Sequence, residues 1–143
     1  MMNTIEGLVL DTSVAVAWGF EDEQNAYAEA VLRQVLASGA YVPAIWPLEI
    51  ANALIMGERR NRIDEPGATR FTEMLAALAI TIDPETSERA WHGILSLARR
   101  QNLTAYDASY LELAVRLAIP LATLDQRLRN AATSIGVIVY TAI

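Results

Sequence analysis

The 143-residue chain has no cysteine, no lysine and a single histidine, His92. Zero cysteine removes disulfides, thiolate nucleophiles and zinc–thiolate sites together. Without lysine there is no Schiff-base chemistry, no phosphate-binding P-loop lysine and no lysine general base. All 11 basic residues are arginines, set against 17 acidic ones, for a formal charge of −6. Taken alone, that balance argues against a nucleic-acid partner, whose phosphates want a basic face. No apolar run reaches the roughly 18 residues of a membrane span. The opening MMNTIEGLVLD lacks a basic stretch followed by a cleavable apolar one, so a cytoplasmic protein with no membrane partner is the expectation.

What remains is rich in apolar residues. At 53% hydrophobic and 20% charged, the chain has enough apolar surface to offset its conformational entropy. Its length, with no linker, repeat or low-complexity tract, predicts a single domain over residues 1–143. Short runs at Gly7–Leu10, Tyr41–Val42, Ile80–Ile82, Leu121–Leu124 and Val137–Tyr140 read as strands. Between them, apolar residues at helical spacing predict helices over Glu23–Ser38, Pro47–Arg60, Pro66–Leu78, Pro84–Arg100, Asp107–Ala118 and Asp125–Ser134. The Pro47 helix is expected to bury Leu48, Ala51, Leu54 and Ile55, and the Pro84 helix Ala90, Trp91, Ile94, Leu95 and Ala98. Strands alternating with helices, and strands apolar throughout, indicate an α/β sandwich with a mainly parallel central sheet.

Open parallel sheets gather their functional groups beyond the carboxyl ends of the strands. Asp11 ends the first strand run, Glu49 lies in the first turn of the helix after the second, Asp107 opens a helix after a loop, and Asp125 follows the run ending at Leu124. Each has a plain alternative. Asp107 and Asp125 suit helix N-caps, Asp11 could cap a following helix, and Glu49 suits a helix dipole. Four such coincidences on one edge are less expected than a common purpose. Bare neighbouring carboxylates repel, and a hard divalent cation relieves that repulsion. With no cysteine and one remote histidine, Mg²⁺ fits this donor set better than zinc or iron. An acid cluster of this kind suits metal-assisted phosphodiester hydrolysis without a side-chain nucleophile.

The stretches LVLDTSVAVAW, LEIANAL, YDASYLELA and PLATLDQRL, in this order along the whole chain, resemble the PIN-domain ribonucleases, most closely the VapC-like toxins of type II toxin–antitoxin pairs. The resemblance implies a PIN-like three-layer α/β/α sandwich whose mainly parallel sheet has about five strands. It implies a Mg²⁺- or Mn²⁺-dependent endoribonuclease acting on tRNA or other structured RNA, with a cognate antitoxin protein as partner and a homodimer as assembly. Asp11, Glu49, Asp107 and Asp125 become the catalytic metal site, Asp11 and Asp107 as principal contacts, and Ser13 orients it. Thr12 and Thr123 sit beside that site, and Asn52 lies one turn after Glu49. Tyr106 is expected to line the groove and Tyr110 to pack.

Among the arginines, Arg59, Arg60 and Arg62, and Arg99 with Arg100, read as solvated helix ends. Arg127 and Arg129, on the helix that Asp125 opens, are the expected RNA contacts. The tryptophans are expected to pack, Trp46 as a groove wall or dimer contact, and His92 carries no assigned chemistry. A receiver or phosphatase-like domain is disfavoured by the missing lysine and by DTS lacking a second aspartate. A silent PIN domain serving as a protein-interaction module remains the alternative. Setting the four acids aside leaves 13 against 11 arginines, a net of −2, so the excess acidity is concentrated on one edge.

Overall fold

The computed structural model describes residues 5–141. Four short strands, β1 (Leu8–Leu10), β2 (Ala40–Val42), β3 (Ile80–Ile82) and β4 (Leu121–Ala122), form one sheet in the order β3-β2-β1-β4. Every pairing is parallel, with Val9 facing Tyr41 on one side and Leu121 on the other. The expected fifth strand is reduced to a single parallel bridge between Leu121 and Val139. Central β1 is buried along its whole length, whereas β3, at the sheet edge, is half open. Helices cover the sheet to make the three-layer α/β/α sandwich.

These are α1 (Thr12–Gly19), α2 (Ala26–Ser38), α3 (Trp46–Arg59), α4 (Glu65–Ala77), α5 (Thr86–Arg89), α6 (Leu95–Gln101), α7 (Ala105–Leu117) and α8 (Gln126–Ser134). The first of them, α1, was legible only as a helix that Asp11 could cap. Its sequence TSVAVAWG offers no polar face, so amphipathic spacing has nothing to detect, and Val14, Ala15 and Ala17 are buried.

Two helices corrected the expected packing. On α3 the buried stripe is Trp46, Ile50, Leu54 and Gly57, while Leu48 is 67% and Ile55 41% exposed. Both stripes have helical spacing, and the larger Trp46 takes the core side. Trp46 is therefore a core residue rather than a groove wall. The Pro84–Arg100 segment is not one regular helix, because a π-helical turn at Ala90–Ile94 separates α5 from α6. The wider turn shifts the helical phase, so Ile94 and Leu97 are buried while Trp91 stands 86% exposed.

The chain order of the strands reverses beside β1, with β2 on one flank and β4 on the other. Groups following β1 and β4 therefore meet at the switch point, where such sheets leave a crevice. The core beneath is continuous, running from β1 through Phe20, Val31, Leu111 and Leu128.

Candidate active site

Asp11 leaves β1 at the position of an N-cap for α1, but its side chain caps nothing. Instead Ser13 Oγ donates to Asp11 Oδ2 at 2.6 Å and Thr123 Oγ1 donates to the same oxygen at 2.8 Å. Both hydroxyls are themselves anchored, Ser13 Oγ accepting from the Leu124 N–H and Thr123 Oγ1 from the Asp125 N–H, each at 3.0 Å. Oδ1 accepts no hydrogen bond among the described residues. The carboxyl is 6% exposed. Burial above all raises its pKa to about 6; the two hydroxyls oppose the shift, and Asp107 and Glu49 add to it.

Glu49 is held by a similar device. Tyr110 donates its phenolic proton to Glu49 Oε1 at 2.5 Å, and Thr12 Oγ1 lies 3.1 Å from that oxygen and 2.7 Å from the phenol. Two protons thus serve a triangle of three oxygens, and Glu49 Oε2 accepts no hydrogen bond among the described residues. Tyr110 is fully buried, as expected of a packing residue, yet its hydroxyl reaches the acid. Its position three residues after Asp107 on one helix was the available signal, since that spacing shares a face.

Asp107 is not the cap of α7. Thr104 takes that position, accepting from the Asp107 N–H at 3.1 Å, which leaves the Asp107 carboxylate unspent and part-exposed. Its pKa is raised, first by burial and then by the charges of Asp125 and Glu49. Asp125 does cap its helix, Oδ1 accepting from the N–H groups of Arg127 at 2.9 Å and Leu128 at 3.3 Å. Only its second oxygen is free for other work.

Asp11 thus feels the charges of Asp107 and Glu49, and Asp107 those of Asp125 and Glu49, but among the described residues no three His, Cys, Asp or Glu side chains converge into a closed metal cage. A cation that keeps most of its waters and takes one or two carboxylates directly needs no such cage. The donor set is all oxygen, each of the four acids has at least one oxygen left over, and buried negative charge awaits compensation. The residues fit a hard divalent cation.

Beside these acids runs a groove lined by Thr12, Ile45, Leu48, Glu49, Asn52, Ile55 and Tyr106. Asn52 and Tyr106, the latter 61% exposed, form part of its wall. Arg127 is exposed, and its charge lowers the Asp107 pKa, so it stands near the site. Arg129 is committed elsewhere: its Nη2 donates to the Thr123 carbonyl at 2.7 Å and its guanidinium lies 5.2 Å from the Tyr27 ring centroid. Arg62, grouped with the solvated arginines, ion-pairs with Asp22 and Glu23 and lies over Phe20. Asp83, which follows β3, is a further strand-end acid that was not among the expected ones. It is buried and paired with Arg116 at 2.6 Å.

Comparison with known proteins agrees with this architecture. The PIN domain family matches residues 8–133. The chain is 35% identical to VapC ribonuclease Mb0985 of Mycobacterium bovis over 126 residues, covering 86% of this chain and 89% of that protein. It is 28% identical to Ribonuclease VapC3 of Pyrobaculum aerophilum, covering 85% and 91% respectively. The crystal structure of PAE2754 from Pyrobaculum aerophilum superposes with a TM-score of 0.65 at 25% identity, over 87% of this chain and 78% of that one. This chain belongs to the PIN domain family, among its VapC-like ribonucleases.

Proposed function

We propose that this protein is a divalent-metal-dependent endoribonuclease, the toxin of a type II toxin–antitoxin pair, with Asp11, Glu49, Asp107 and Asp125 as its catalytic acids. The observation that carries the reading is Asp11, buried and held through one oxygen by Ser13 and Thr123 while its other oxygen is unspent. Family membership and the VapC ribonuclease relatives support the substrate class.

When bound, Mg²⁺ or Mn²⁺ supplies a water of lowered pKa and charge neutralisation at the scissile phosphate. The rest falls to the chain. Asp11 and Asp107 hold the cation, and Glu49 and Asp125 contribute directly or through water. Ser13 and Thr123 keep the Asp11 carboxyl from rotating, which preserves the geometry that positioning catalysis requires. Arg127 meets an RNA phosphate, and Tyr106 with Asn52 contacts the strand along the groove. Arg129 acts indirectly, by bracing the Thr123 carbonyl.

The same proposal takes residues 1–143 as one domain that acts as a homodimer and is restrained by an antitoxin over the acidic groove. Exposed Leu48, Ile55 and Tyr106 on that groove supply apolar surface for a protein partner. Among the described residues no helix is long and apolar enough to cross a membrane.

The test is incubation of end-labelled structured RNA with purified protein in Mg²⁺, in Mn²⁺ and in chelator. Internal cuts that need either metal and vanish in Asp107→Asn support the reading. Metal-bound protein that leaves every RNA intact favours the silent interaction module instead.

A further inference from the structure

The four acids sit on separate segments, among them Asp11 at the β1–α1 junction, Glu49 on α3 and Asp107 on α7. Thr12 adjoins the first of them, Tyr110 lies one turn beyond the third, and both hydroxyls meet at the Glu49 carboxylate. This single oxygen triangle ties those three acid-bearing segments together. Each corner touches the other two, and the Tyr110 hydroxyl makes the two shorter contacts.

We propose that Tyr110 is a positioning residue for the metal site, its hydroxyl fixing Glu49 Oε1 so that Glu49 offers only Oε2 to a cation or its waters. The inference rests on the metal-dependent reading given above. Packing alone does not account for the hydroxyl. Phenylalanine would fill the same fully buried space, and among the described residues this phenol has no partners but Thr12 and Glu49. A buried hydroxyl carries a desolvation cost that a purely structural aromatic avoids. A glutamate side chain, by contrast, has three rotatable bonds, and a carboxylate free to turn can engage a cation through one oxygen or two. Hydroxyl occupation of Oε1 removes the two-oxygen mode and most of the rotamer choice. Asp11 shows the same arrangement, one oxygen held by two hydroxyls and the other unspent. The site therefore presents two single-oxygen donors from two elements. That suits a cation that demands near-octahedral geometry and retains several waters. Partners behind ligands typically set metal affinity by about 10- to 100-fold.

The experiment measures Mn²⁺ binding to the full chain by calorimetry, with free Mn²⁺ counted by electron paramagnetic resonance, for wild type and Tyr110→Phe. Thermal unfolding of both in chelator is recorded alongside. The expected result is a Kd for Mn²⁺ about 10- to 100-fold weaker in Tyr110→Phe, with unfolding in chelator unchanged or raised. RNA cleavage by the variant should recover as Mn²⁺ is increased. Equal Mn²⁺ affinity in the two folded proteins overturns the positioning role and leaves the metal-dependent reading standing. A wild type that binds no Mn²⁺ overturns both. Should Tyr110→Phe fail to fold, Thr12→Val removes another corner of the triangle and must weaken Mn²⁺ binding in the same direction; unchanged affinity there also overturns the proposal.

Discussion

Thr123 donates a hydrogen bond of 2.8 Å to Asp11 across 112 positions of sequence, joining the ends of β4 and β1 at the point where the strand order reverses. The same threonine oxygen accepts from the Asp125 N–H, so one hydroxyl aligns two proposed catalytic acids. Thr123→Val keeps the shape and deletes that hydroxyl. It should destabilise the fold by about 1–3 kcal/mol through unsatisfied buried groups, read by urea denaturation, and slow RNA cleavage at saturating metal.

The Asp11 pKa of about 6, against 3.8 for a free side chain, fixes the sign of a pH effect. A carboxyl whose folded pKa is raised contributes stability below its unfolded value, and that contribution is lost as pH rises through the folded one. In chelator, wild-type stability should therefore decline between about pH 4 and pH 7 from this group. The shift corresponds to at most about 3 kcal/mol. Asp11→Asn should be the more stable protein at pH 8 and show no advantage at pH 4, as measured by thermal melts across that range. Adding Mn²⁺ at pH 8 should raise the wild-type midpoint and leave the variant's in place.

Arg116 gathers Asp83, Glu112 and Glu85 into one network, and two of those carboxylates are almost fully buried. Burial alone would push the Asp83 pKa up, yet the Arg116 guanidinium outweighs it and holds the value below the usual range. Arg116→Met leaves two buried charges unpaired and should cost about 3–5 kcal/mol. Adding Asp83→Asn and Glu112→Gln to that variant should recover much of the loss in a denaturation series.

The two arginines of α8 should separate cleanly. Arg127→Ala should leave the thermal midpoint unchanged while weakening RNA binding, with a shallower salt dependence because one phosphate contact is gone. Arg129→Ala should instead lower the midpoint, because the Thr123 carbonyl loses its donor and Tyr27 its stacked cation. Filter binding across a salt series, beside melts of both variants, checks the division.

How far the sequence could be read depended on the kind of signal each residue carried. The strand positions and the alternation with helices were legible because short, wholly apolar runs bounded by polar breaks have few other uses. Helix α1 was not, since burial on every side erases the periodicity that marks a helix. The α3 helix shows a related limit: the expected stripe Leu48–Ala51–Leu54–Ile55 and the buried stripe Trp46–Ile50–Leu54–Gly57 both have helical spacing, and only tertiary packing decides between them. At the site, the four acids stood out by their places after strands and loops. Of the hydroxyls that hold them, Ser13, Thr12 and Thr123 were placed at the site by the family resemblance, and Tyr110 was expected only to pack. Apart from Ser13, two residues from Asp11, these hydroxyls bind across 37 to 112 residues, as in Thr12 with Glu49 and Thr123 with Asp11, and no local pattern encodes such pairings. Nor does spacing distinguish Asp125, which spends an oxygen on capping, from Asp107, whose cap duty Thr104 performs.

The central claim is that the four acids form one metal-dependent centre for RNA cleavage. Its most direct test is the single-turnover cleavage rate of Asp11→Asn, Glu49→Gln, Asp107→Asn and Asp125→Asn on one RNA at saturating Mg²⁺, with thermal melts confirming each fold. The account predicts folded proteins whose rates fall by at least about 100-fold for Asp11→Asn and Asp107→Asn, an electrostatic loss of roughly 2.7 kcal/mol or more at the barrier, and measurable losses for the other two. Wild-type cleavage by folded Asp11→Asn or Asp107→Asn would contradict it.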